Sequence, residues 1–153
     1  MGHFREAVAD LAEAVALDKD DEVAGLREDH DRVQQLLAAL ERGDDALHLD
    51  RAVEAAEQED WVTSLRAFTE ALVLNPTNAS AFCSRASVWH AYGRYRECVQ
   101  DCEQALALLT EAGDYADPLV WYRVLCNRGA ALTWLGQLQE ARKDLQDALA
   151  LAA

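Results

Sequence analysis

Apolar residues recur along this chain at steps of three and four, the mark of helices with one buried face. The stretch around 79–112 shows the pattern best. Phe82, Ala86 and Trp89 form one ladder, Gly93 interrupts it, and Tyr95, Cys98, Cys102, Ala105 and Leu106 line a second. The break suits glycine, which accepts the left-handed backbone of a helix stop. The same reading along the chain predicts helices near 3–17, 22–42, 45–58, 61–74, 79–92, 95–112, 118–135 and 138–151, and no strand. In the helix near 22–42 the apolar face is Val23, Leu26, Val33, Leu36, Leu37 and Leu40, with acidic Asp18, Asp20, Asp21 and Glu22 before its first turn. Arg42 and Gly43 end it. Pro76 stops another helix, Asn78 can cap the next, and Asp117 before Pro118 reads as a cap followed by a first helical position.

The pattern repeats. Ala14, Ala71, Ala105 and Ala148 occupy one place near the end of successive second helices, separated by 57, 34 and 43 residues. Those intervals contain one bare period of 34 and two lengthened ones. Gly93, Tyr95, Cys98, Cys102 and Ala105 fit one second-helix pattern. Gly136, Leu138, Ala141, Leu145 and Ala148 fit it again, as do Gly2, Phe4, Ala7, Leu11 and Ala14. Ser64, Phe68, Ala71 and Pro76 fit more loosely, with Glu59 standing where the turn glycine belongs. On these residues the chain resembles the tetratricopeptide repeat family.

The resemblance implies an all-α, right-handed superhelical solenoid of antiparallel helix pairs, about three and a half units long. Residues 1–21 would be the second helix of a truncated unit, and 22–44 a linking or capping helix. Units would span 45–78, 79–112 and 122–153, with an insertion at 113–121. This layout looks like that of some two-array, chaperone-associated members. Because Gly2 stands at the place of the inter-helix turn, the chain reads as a piece of a longer protein, the alternative being that another molecule supplies the missing helix. Phe4, Val8, Leu11 and Val15 at one end, and Leu145, Leu149 and Leu151 at the other, then lack cover, so self-association through these incomplete ends is expected.

Charge narrows the partners. The net charge is −14, of which residues 1–60 carry −12, with 18 acidic and 6 basic side chains. Nucleic acid and anionic membrane both need a positive surface, so neither is expected as a partner. Arg5, Glu6, Asp10 and Glu13 near the start leave no apolar signal segment there. Four cysteines without a disulfide-framework spacing point to a reducing, cytoplasmic setting.

Little in the chain suggests catalysis. Cys98 and Cys102, four apart with His90 across the turn, read either as a metal half-site or reactive thiol, or as small core residues. The second reading fits the repeat, and neither a metal nor a cofactor is expected. No phosphate loop, nucleophile elbow or paired-histidine motif occurs.

The resemblance points instead to the concave groove lined by the first helix of each unit. Carried over position by position, the first full unit offers Ala46, Leu49, Asp50, Val53 and Glu57. The second offers Ser80, Cys83, Ser84, Ser87 and Ala91, with His90 beside them; the last offers Arg123, Cys126, Asn127, Ala130 and Trp134. Chaperone-binding members clamp a C-terminal carboxylate with lysine, arginine and asparagine at places that here read Leu49, Val53, Ser84, Arg123 and Asn127. Only Arg123 keeps the charge. The groove expected here therefore holds an amphipathic helix or an extended segment through apolar anchors. Its residues are Leu49, Val53, Ser84, Ser87, His90, Arg123, Asn127 and Trp134. For Leu49 and Val53, packing against the 22–42 helix is the competing role; for Trp134, packing under the terminal unit. The function implied is a non-catalytic adaptor or co-chaperone-like scaffold for another protein. The alternative is a structural subunit fixed in a large assembly, such as a ciliary or transport complex.

Overall fold

A computed structural model of the chain describes residues 31–35, 37–38 and 45–153. The helix expected near 3–17, and most of the one near 22–42, lie outside the described residues; 31–35 and 37–38 are helical, with Val33 buried. The chain divides into two compact units, Met1–Asp45 and Ala46–Ala153.

The second unit is a run of helix pairs: α1 (Ala46–Glu57) with α2 (Trp61–Leu74), α3 (Ala79–Ala91) with α4 (Tyr95–Ala112), and α5 (Pro118–Trp134) with α6 (Leu138–Ala152). A single 3-10 turn, Gly113–Tyr115, precedes α5. No strand occurs among the described residues.

Side-chain caps start three of the helices, α2, α3 and α5. Asp60 accepts a hydrogen bond from the Thr63 amide at 3.2 Å, Asn78 from Ala81 at 3.0 Å, and Asp117 from Leu119 at 2.9 Å. Each satisfies an amide that has no partner within its helix. The turns between paired helices share one backbone device. Gly93 and Gly136 take φ of 81° and 79°, and Glu59, at the matching place in the first pair, is forced to 58°. It is the one non-glycine residue with positive φ among those described.

Two apolar clusters hold the stack. Ala52, Leu65, Ala67, Phe68 and Val88 join the first pair to α3, with Leu49, Trp61 and Trp89 packed against them. Cys83, Ala86, Cys98, Cys102, Ala105, Leu109, Val124 and Ala131 join α3, α4 and α5. Small residues, alanine and cysteine, dominate the second cluster, which lets its helices approach closely. In the last pair the approach is closest at Gly129, where an added Cβ would lie 2.9 Å from Leu145 Cγ.

Polar ties run across each pair. Arg85 of α3 grips Asp101 of α4 with two hydrogen bonds of 2.7 and 2.6 Å, and Arg128 of α5 grips Asp144 of α6 with two of 2.7 Å. Both aspartates are buried. In the first pair the same places hold Arg51 and Ala67; there His48 Nδ1 lies 3.2 Å from Glu70 Oε2, and Ser64 donates to the Ala52 carbonyl at 2.7 Å.

Candidate partner-binding face

The first helices of the pairs, α1, α3 and α5, carry the residues expected to face a partner. Between α3 and α5 the link is direct. Asn127 donates its side-chain amide to Ser87 Oγ at 2.8 Å and to the Cys83 carbonyl at 3.4 Å. The Cys98 thiol approaches the Asn127 carbonyl at 3.8 Å. Asn127 therefore ties two units together.

Several expected positions change role. Cys83, assigned to the groove by its repeat position, is buried at 1% exposure, because it packs into the second apolar cluster with the Asn127 amide against it. Leu49 is half-buried and packs against the first apolar cluster, while Val53, one turn further, stays 47% exposed. Ser84 and Ser87 are half-buried. Arg123 is exposed and makes no ion pair among the described residues.

Trp134 combines packing and exposure. Its ring stacks on Tyr95, with centroids 5.4 Å apart and planes inclined by 2°, yet it remains 68% exposed. Tyr95 in turn meets His90 edge-on at 5.3 Å. His90 Nε2 is enclosed and has no hydrogen-bond partner among the described residues. The face thus ends in an aromatic shelf built from three helices.

Cys83 and Cys102 are held as protonated thiols. Cys98 and Cys102 are fully buried, and the hydrogen bond between them, together with burial, pushes the Cys102 thiol far above its ordinary value. Burial raises Cys83 as well. A raised thiol pKa removes the thiolate that nucleophilic or ligating chemistry requires. Cys126 is half-buried, and its hydrogen bond raises the neighbouring Tyr122 phenol. Among the described residues no group of three His, Cys, Asp or Glu side chains is arranged to hold a metal ion. No described helix is long and apolar enough to cross a membrane.

No protein-family model matches the chain. Over 101 residues it is 37% identical to tetratricopeptide repeat protein 36 of Xenopus tropicalis, an alignment covering 66% of this chain and 48% of that protein. It is 33% identical over 81 residues to the Hsp70-Hsp90 organizing protein of Triticum aestivum, covering 53% of this chain and 14% of the other. In fold it matches the second TPR of Spaghetti (RPAP3) bound to HSP90 peptide SRMEEVD, with a TM-score of 0.64 and 24% identity, covering 74% of this chain and 98% of that one. The chain belongs to the tetratricopeptide repeat family. It spans about half the length of the tetratricopeptide repeat protein 36 relatives that it matches.

Within the tetratricopeptide repeat pairs, sequence reasoning missed the buried Arg–Asp grips. A signal existed. Arginine and aspartate stand 16 residues apart at 85 and 101, and the same two residues recur 43 positions later at 128 and 144. The cleft between α4 and α6, about 620 Å³, was also not anticipated; it is lined by charges of both signs, including Arg96, Lys143, Glu103 and Glu140.

Proposed function

We propose that this protein is a non-catalytic adaptor that holds a segment of another protein against the face formed by α1, α3 and α5. The observation that carries the reading is the combination on that face of exposed apolar side chains, Val53 and Trp134, with small hydroxyls at Ser84 and Ser87. Rigid helices that leave apolar side chains exposed present a preorganised surface to a partner. The relatives named for organising Hsp70 and Hsp90 support a co-chaperone-like role. The side chains do not support the same ligand chemistry. A carboxylate clamp needs several cationic donors converging on one end group, and this face offers Arg123 alone, with Asn127 already engaged by Ser87. The partner segment is therefore apolar-anchored, and a cytoplasmic setting fits the reduced cysteines.

A photo-crosslinking residue at position 84, compared with one at Gln100 on α4, tests this in cells. Crosslinks to a defined protein segment from position 84 and none from position 100 are expected. Equal crosslinking from both would refute a face-specific site.

The fixed-subunit reading draws on one observation. Leu138, Leu145 and Leu149 share one face of α6 and are 61%, 41% and 69% exposed, an apolar stripe on the last described helix. Contact with a further copy through this stripe is part of the proposal.

A further inference from the structure

The insertion at 113–121 lengthens the repeat between the last two units, and it borders a cleft. The Gly113–Tyr115 turn is followed by extended Ala116, then by Asp117, which caps α5, with Pro118 at the first helical position. Helix α5 thus begins ahead of the repeat position at 122 and stands beside the end of α4 and the start of α3. Between them lies a cleft of about 490 Å³. Its size is that of a site for a side chain or a short segment.

Three features of its lining select an occupant. Leu108, Ala112 and Val120 give it an apolar wall. Glu111 and Asp117 supply carboxylates, and none of the lining residues is basic. Asp117 uses Oδ1 for the Leu119 amide, which leaves Oδ2 for a ligand, and Glu111 has no ion-pair partner among the described residues. Tyr115 borders the cleft with 97% of its surface exposed, so its ring face is open to a cation.

We propose that this cleft is a second docking surface, at the starts of α3 and α5 and meeting the partner-binding face only at Ser80, for a protein segment in which an apolar side chain is flanked by lysine or arginine. The apolar side chain lies against Leu108, Ala112 and Val120. The cation is shared between the Glu111 and Asp117 carboxylates and the Tyr115 ring. The charge on this surface is opposite to that of Arg123, so the two surfaces select different segments.

The test uses the full chain and a fluorescein-labelled peptide with a central leucine flanked on each side by lysine and arginine. A second peptide has glutamate in place of each basic residue. Because the whole chain is acidic, binding alone does not decide the matter; its location does. Expected are binding of the basic peptide, loss with salt, and amide shifts confined to 77–80 and 108–120. Asp117→Asn with Glu111→Gln removes the charge while asparagine keeps the helix cap, and should weaken binding about tenfold, the effect of one charge-assisted contact. Tyr115→Ala should weaken it further, with an unchanged far-ultraviolet spectrum. The proposal is overturned by equal binding of the acidic peptide or by no binding of the basic one. Affinity unaffected by the neutralising pair, or shifts centred on Val53, Ser84 and Arg123, would overturn it equally.

Discussion

Asn127 of α5 spends its side-chain amide on Ser87 of α3, 2.8 Å away. The carboxylate clamp that the family resemblance implies would need a cation at this place. Here it staples two units. The peptide SRMEEVD, which the second TPR of Spaghetti (RPAP3) binds, is accordingly expected to bind this chain no better than a scrambled version. Isothermal titration with both peptides checks this. Tight binding that disappears in Arg123→Ala would restore the clamp.

The two arginine–aspartate grips should be the most sensitive polar contacts in the array. Asp144→Asn leaves the half-buried Arg128 without its charged acceptor, and a lost charge-assisted hydrogen bond costs about 2 kcal/mol. Asp101→Asn should cost a similar amount, since Arg85 is held in the same way. Urea unfolding of each variant measures the loss. A loss near zero in both would show that the pairs contribute geometry and no net stability.

Glu59 carries backbone strain that Gly93 and Gly136 avoid. A side chain in the left-handed region costs about 1 kcal/mol, so Glu59→Gly should stabilise the first pair by up to about that amount, less the greater freedom glycine gives the unfolded chain. Gly93→Ala should do the reverse, and for backbone reasons alone, because nothing lies within 4 Å of its added Cβ. Thermal melts of the two variants should move in opposite directions.

The apolar stripe on α6 gives a test of association. Sedimentation over a wide concentration range should show a reversible larger species, and Leu149→Glu should abolish it without loss of helix. Leu149 is 69% exposed, so the substitution disturbs little packing among the described residues. A monomer at every concentration would exclude self-association through this stripe.

The helix pairs were legible because each buries one stripe, and a stripe leaves a three- and four-residue rhythm. Asn78 and Asp117 were legible as caps for an equally local reason: each reaches an amide two or three residues ahead. What escaped depends on the neighbouring helix. Cys83 has a groove position by count, but whether it is covered depends on Asn127, 44 residues away. Trp134 could be read as anchor or as packing; the structure stacks it on Tyr95 and leaves it 68% exposed. The Arg–Asp grips cross from one helix to the next, so they leave no trace in the periodicity of either.

The adaptor reading stands or falls on whether the face of α1, α3 and α5 takes an apolar-anchored segment and not an acidic terminus. An unbiased peptide-display selection on the intact chain decides between them, with the winning peptide then mapped by amide chemical shifts. Selected peptides should carry internal apolar anchors, with shifts at Val53, Ser84, Ser87, Arg123 and Trp134. Enrichment of peptides ending in acidic residues, with shifts centred on Arg123 and Asn127, would contradict the adaptor reading as proposed.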